Sequence, residues 1–138
     1  MNPTEKRQWW VSQWLKKAEH DLRAAELLTQ GADPPTDVIC FHAHQAVEKL
    51  LKAFLVAHDV EFEKTHDLGI LLDRCREIDQ EFEELRDQCE ELNEYAVSAR
   101  YPGLWEEYPA EEAEGALASA KRVRDFVLGR GPRFLTPD

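Results

Sequence analysis

The chain has 138 residues, enough for one domain with a core of its own, and its 43% hydrophobic and 33% charged residues exclude a disordered chain. A net charge of -11 argues against non-specific binding to DNA, which depends on neutralising phosphates. No apolar run approaches the length of a membrane span, and the polar start, Met1 to Lys16, does not read as a signal peptide, so the expected location is the cytoplasm.

Asn2-Pro3 reads as a helix start, with Asn as cap and Pro in the first turn. The apolar stripe Val11, Leu15, Ala18, Leu22 and Ala25 carries that helix towards Gly31. Trp10 and Trp14 lie off its centre. They are expected to pack on the C-terminal helix or to form a subunit interface.

Asp33-Pro34-Pro35-Thr36-Asp37 breaks the pattern, with Thr36 or Asp37 as the next cap. A second helix then spans about 38–58. It reads as two-faced: Cys40, Ala43, Val47, Leu50, Leu51 and Phe54 on one side, His42, Gln45, Glu48, Lys49 and Lys52 on the other. After a polar connection at 59–64, Thr65 is expected to cap a third helix with Asp67 in its first turn. Leu68, Leu71, Leu72, Cys75 and Ile78 are its stripe.

Phe82, Leu85, Cys89, Leu92 and Ala96 predict a fourth helix over about 80–99. Its outer face is dense in acid. From Glu77 to Glu94 the carboxylates are opposed only by Arg86. Arg100-Tyr101-Pro102-Gly103 ends it, and an aromatic loop with Leu104, Trp105 and Tyr108 follows. Ala113, Leu117, Ala120, Val123 and Val127 mark a fifth helix that starts near Pro109 and stops at Gly129. The expectation is a single helical domain over 1–129 and a loose tail over 130–138. No strand signal or repeat appears, so the fold class is all-α, an up-and-down bundle of four or five helices.

Cys40, Cys75 and Cys89 fall on apolar helix faces and read as buried thiols. No metal-binding spacing, nucleophile elbow or Gly-rich phosphate loop is present, so neither a metal nor a cofactor is expected. What is left is polar. His42, Gln45, Lys49 and Lys52 share one helix face, His66 begins the third helix, whose free N–H groups can hold an anion, and Arg100 and Tyr101 end the fourth. With the second and fourth helices as neighbours, Lys49, Lys52 and Arg100 could converge on a phosphate. The alternative is local pairing, Glu48 with Lys52 and Arg100 with carbonyls of its own helix end.

Four pieces in order carry a resemblance: Trp14 with Ala18-Glu19-His20-Asp21-Leu22, then 44–53 (His-Gln-Ala-Val-Glu-Lys-Leu-Leu-Lys-Ala), then Thr65-His66-Asp67-Leu68, then Ala99-Arg100-Tyr101-Pro102. In these the chain resembles the HEPN family. The resemblance implies a helical bundle that dimerises. It also implies a nucleotidyltransferase-fold protein as partner, in a toxin–antitoxin-like pair. Many members are metal-independent ribonucleases built on Arg, four to six residues, then His. Here the positions after Arg100 hold Trp105, Glu106 and Glu107, and none of His20, His42, His44, His58 and His66 follows an Arg at that spacing.

The expected function is therefore a non-catalytic HEPN-type domain that binds a nucleotide or phosphate ligand, a nucleotidyltransferase-fold partner, or both. The candidate ligand-binding residues are His42, Gln45, Lys49, Lys52, His66, Arg100 and Tyr101. Two alternatives stand beside it. One is a divergent metal-independent ribonuclease with His66 or His42 as base. The other is a structural dimerisation or docking module that uses the acidic fourth helix.

Overall fold

The computed structural model describes residues 1–98 and 107–130, and the expectations on Arg100, Tyr101, Leu104, Trp105 and the tail beyond Arg130 lie outside them. The described elements are α1 (Pro3–Thr29), α2 (Thr36–Ala57), α3 (Leu68–Ile78), a 3-10 segment (Gln80–Leu85), α4 (Arg86–Asn93), α5 (Tyr95–Ser98) and α6 (Ala110–Arg130), with no strand among them.

α1 starts as its sequence dictates. Asn2 Oδ1 accepts the Glu5 N–H at 2.8 Å, its amide donates back to the Glu5 carboxylate at 2.9 Å, and Pro3 occupies the first turn, where no N–H partner is needed. α2 is the central element, packed chiefly against α1 and α6 and also against α3, α4 and α5. Its six predicted apolar residues are all buried. Burial also extends to the opposite side, taking in His44, Glu48 and Lys52, so the helix is not divided into a wet and a dry face. A helix packed from several sides has no fully solvated face, and its polar residues persist there because they are paired. The core continues through Phe82, which lies 4.4 Å from Phe54 and meets Phe126 edge to face at 5.0 Å between centroids.

Four local predictions change. α2 begins after Pro35 without a side-chain cap, because the Thr36 hydroxyl accepts the Tyr108 N–H at 3.1 Å instead. Asp67, not Thr65, caps α3: its carboxylate accepts from Gly69 N and Ile70 N, while Thr65 Oγ1 accepts from Asp67 N. The fourth helix is broken into the 3-10 segment, α4 and α5. Asp79 opens the 3-10 turn by accepting the Glu81 N–H, and the Leu92 carbonyl that a continuous helix would use is engaged by His44. At the far end α6 runs through Gly129 to Arg130, whose guanidinium pairs with Asp79 and Glu81.

The two tryptophans expected to pack on α6 or to form an interface differ in burial, and both have neighbours on the α2 side. Trp14 is half-buried and lies 5.5 Å from the Lys52 ammonium, whereas Trp10 is 47% exposed. Cys40, Cys75 and Cys89 are buried and unpaired, as their helix positions require.

Candidate functional site

Two carboxylates organise the polar side of α2. Asp21 reaches across from α1 and holds two α2 side chains, His42 Nδ1 at 2.9 Å and Lys49 Nζ at 2.6 Å. Asp21 is placed there because it interrupts the apolar stripe of α1 between Ala18, Leu22 and Ala25, so helix packing buries it. Between His42 and Lys49 on α2, Glu48 is only 4% exposed and collects its own donors. Lys52 Nζ lies at 2.9 Å and His66 Nδ1 at 2.8 Å.

Burial pushes the Glu48 carboxyl up. The groups around it, His44 and the two donors Lys52 and His66, outweigh that cost and hold it down at about 2. Lys52 and His66 are within hydrogen-bond reach, and His44 Nε2, at 3.6 Å, is not, so the effect rests mainly on the first two. His44 is turned by its other nitrogen, Nδ1, which donates to the Leu92 carbonyl at 3.0 Å. Trp14 and Phe62 place their rings 5.5 and 5.8 Å from the Lys52 ammonium, a low-dielectric cover for the Glu48–Lys52 pair.

The chemistry open to this arrangement follows from the two histidines. A carboxylate accepts only, so His66 and His42 each present Nδ1–H to it, an orientation that in the neutral tautomer leaves the lone pair on Nε2. The His66 side chain is 58% exposed and that of His42 28%, so His66 offers the more accessible proton acceptor. Among the described residues, no group of three or more His, Cys, Asp or Glu is placed to hold a metal ion.

Of the residues singled out in the sequence, Lys49 and Lys52 are each neutralised by a buried or nearly buried carboxylate. Gln45 is half-buried, with its Oε1 enclosed and without a hydrogen bond among the described residues. The anion site expected at the start of α3 is already filled: Asp67 takes the N–H groups of Gly69 and Ile70, and Asn93 Oδ1 takes that of Leu68. Convergence with Arg100 and Tyr101 lies outside the described residues. Sequence reasoning missed Asp21 and His44 as members of the cluster. For Asp21 the signal was present, a lone acid inside an apolar stripe.

A family model described as HEPN domain matches residues 11–130. The chain is 32% identical over 128 residues to a Methanocaldococcus jannaschii protein named "Putative toxin MJ1304", with 83% of each chain covered. It is also similar to the crystal structure of ST0689, an archaeal HEPN homologue, with a TM-score of 0.70 and 25% identity over 87% of this chain and 96% of that one.

Proposed function

Because this chain belongs to the HEPN domain family, we propose that it is a toxin-like HEPN protein that acts in the cytoplasm as a homodimer with a nucleotidyltransferase-fold partner. The observation that carries this reading is the relative named as a toxin, matched over 83% of both chains. Two features of this chain favour a protein partner, the first over a nucleotide ligand and the second over ribonuclease activity. Lys49 and Lys52, the cations expected to meet a phosphate, already face Asp21 and Glu48, and a phosphate would have to compete with those carboxylates. The sequence also lacks a His at the required distance after Arg100.

The test is expression from an inducible promoter, alone and together with any nucleotidyltransferase-fold protein encoded beside it. The expected result is slowed growth on induction, relief on co-expression, and co-purification of the two chains. Unimpaired growth together with a failure to associate sinks the proposal. A nucleotide panel in a thermal-shift assay tests the ligand arm separately, since a bound ligand raises the melting temperature by mass action.

One observation favours a second reading, a metal-independent ribonuclease. His66 is held at 2.8 Å by a carboxylate and is more than half exposed, a suitable arrangement for a general base. Cleavage of a mixed RNA pool in the presence of chelator, lost in His66→Ala, is the result this reading requires. On the acidic outer face Glu77, Glu81 and Glu83 are engaged by arginines, whereas Glu84, Asp87, Glu90 and Glu94 are exposed and form no ion pair among the described residues, so a docking role for a basic partner would rest on those four.

A further inference from the structure

The outer face of α1 carries charges that the rest of the molecule leaves unanswered. Lys6, Lys16, Lys17 and Arg23 are exposed and form no ion pair among the described residues, in a chain whose net charge is -11. Elsewhere only Lys64 and Arg122 share that condition, and every other described Lys and Arg pairs with a carboxylate.

Beside these cations stand the exposed tryptophans. Trp9 is 45% and Trp10 47% exposed, with the rings edge to face, 5.0 Å apart at 82°. Trp10 also walls a groove of about 580 Å³ together with Pro3, Val56, Val60 and Phe62. Two large rings left half in water forgo much of the burial energy such side chains supply, and Trp with cationic neighbours is the composition of interface anchors.

We infer that this face docks an acidic helix of a partner protein, which lies along α1 and inserts an apolar side chain into the groove beside Trp10. The cations from Lys6 to Arg23 span roughly 26 Å of helix, at about 1.5 Å per residue, which suits an extended helical contact and not a point ligand. Asp59 and Glu61 line the groove as well. Lys6 and Arg7 line it too, Arg7 pairing with Asp59 at 3.7 Å, so the groove has no net formal charge; the partner's acidic residues belong against the unpaired cations of α1 and its apolar anchor against Val56, Val60 and Phe62. A single-stranded nucleic acid fits less well. Rings set edge to face do not give consecutive bases two parallel platforms, and the net charge opposes a long phosphate chain. The inference goes beyond the proposed function and does not depend on it, because it concerns the chemistry of the contact and not the identity of the partner.

The test uses a synthetic amphipathic helical peptide, Glu on one face and Leu on the other, and a counterpart with Lys in place of Glu. Each is titrated into the full chain while tryptophan fluorescence is followed, and a labelled single-stranded RNA is titrated in parallel. The Glu peptide is expected to bind and the Lys peptide not. Affinity should fall by about tenfold between low and physiological salt. Trp10→Ala, and separately the surface triple change Lys6→Glu, Lys16→Glu and Lys17→Glu, should each weaken binding by about tenfold or more. The triple variant changes only exposed side chains, so its fold, checked by circular dichroism, is expected to persist if the Trp10 variant fails. No binding of the Glu peptide, equal binding by folded variants, or variant-sensitive binding of the RNA in place of the peptide overturns the inference.

Discussion

His66 donates from Nδ1 to Glu48 Oε1 across 2.8 Å, joining the segment that leads into α3 to the middle of α2. The bond matters because Glu48 is almost wholly buried and also carries the Lys52 ammonium. A buried ion pair is costly to assemble and costlier to break, since removing one partner leaves the other charge uncompensated.

Stability should therefore depend on pH in acid. The Glu48 carboxyl is held down at about 2 in the folded chain, from an ordinary value of 4.5. A carboxyl depressed on folding contributes fully above its unfolded value, and the contribution is lost as pH falls through the folded one. The melting temperature is expected to drop between pH 4.5 and about 2, and urea midpoints across that range check it. In Glu48→Gln this part of the slope should flatten. At neutral pH the same variant should lose about 3 kcal/mol, because Lys52 stays buried without its counter-charge.

Asp21 is a second brace, between different elements. It joins α1 to His42 and Lys49 of α2. Asp21→Ala is expected to cost about 1–3 kcal/mol by leaving both donors unsatisfied in a partly buried place. Asp21→Asn should cost less, since one acceptor oxygen remains. Chemical unfolding of the two variants side by side separates the loss of charge from the loss of hydrogen bonding.

The end of α2 predicts a stabilising change. Asp59 has φ 56°, in the left-handed region. The N–H groups of Asp59 and Val60 reach back to Val56 O and Leu55 O, both at 3.0 Å, which closes a Schellman turn. Glycine is the residue this position favours. Asp59→Gly should raise stability by about 0.5–1 kcal/mol, and it forfeits only a long, exposed contact with Arg7. An unchanged or lowered melting temperature contradicts this.

The thiols should be inert in the native chain. Burial, the leading cause at each, pushes Cys40 and Cys89 up to about 12 and Cys75 higher. The thiolate is the reactive form, and it is scarce at neutral pH under those conditions. Titration with a thiol reagent is expected to find no rapidly reacting cysteine among Cys40, Cys75 and Cys89 in buffer and all of them in denaturant.

The bundle was legible in the sequence because helical periodicity survives wherever one face is apolar. The Asn2 cap, the stripe of α3 and the three buried cysteines all follow from such local rules. The polar cluster was half legible. Glu48 and Lys52 stand one turn apart and pair as that spacing predicts. Their burial, however, depends on how many neighbours surround α2, and periodicity in one helix does not report its neighbours. Asp21 meets residues more than twenty positions away, which no local pattern encodes. The break at Asn93 escaped for a similar reason. The Asn93 side chain bonds Leu68 N and Asp67 across a long separation, and it lies where α4 gives way to α5.

The central position of α2 also has a temporal consequence. An amide exchanges its hydrogen with solvent only when its surroundings open, and the most enclosed elements open last. α2 is covered by α1, α3, α4, α5 and α6, so its amides can be released only by opening of the whole domain. The first two turns of α1, with Lys6, Trp9 and Trp10 exposed, can fray without disturbing it. Native-state hydrogen exchange should then rank the chain from its start inwards, with the middle of α2 exchanging at the rate of global unfolding.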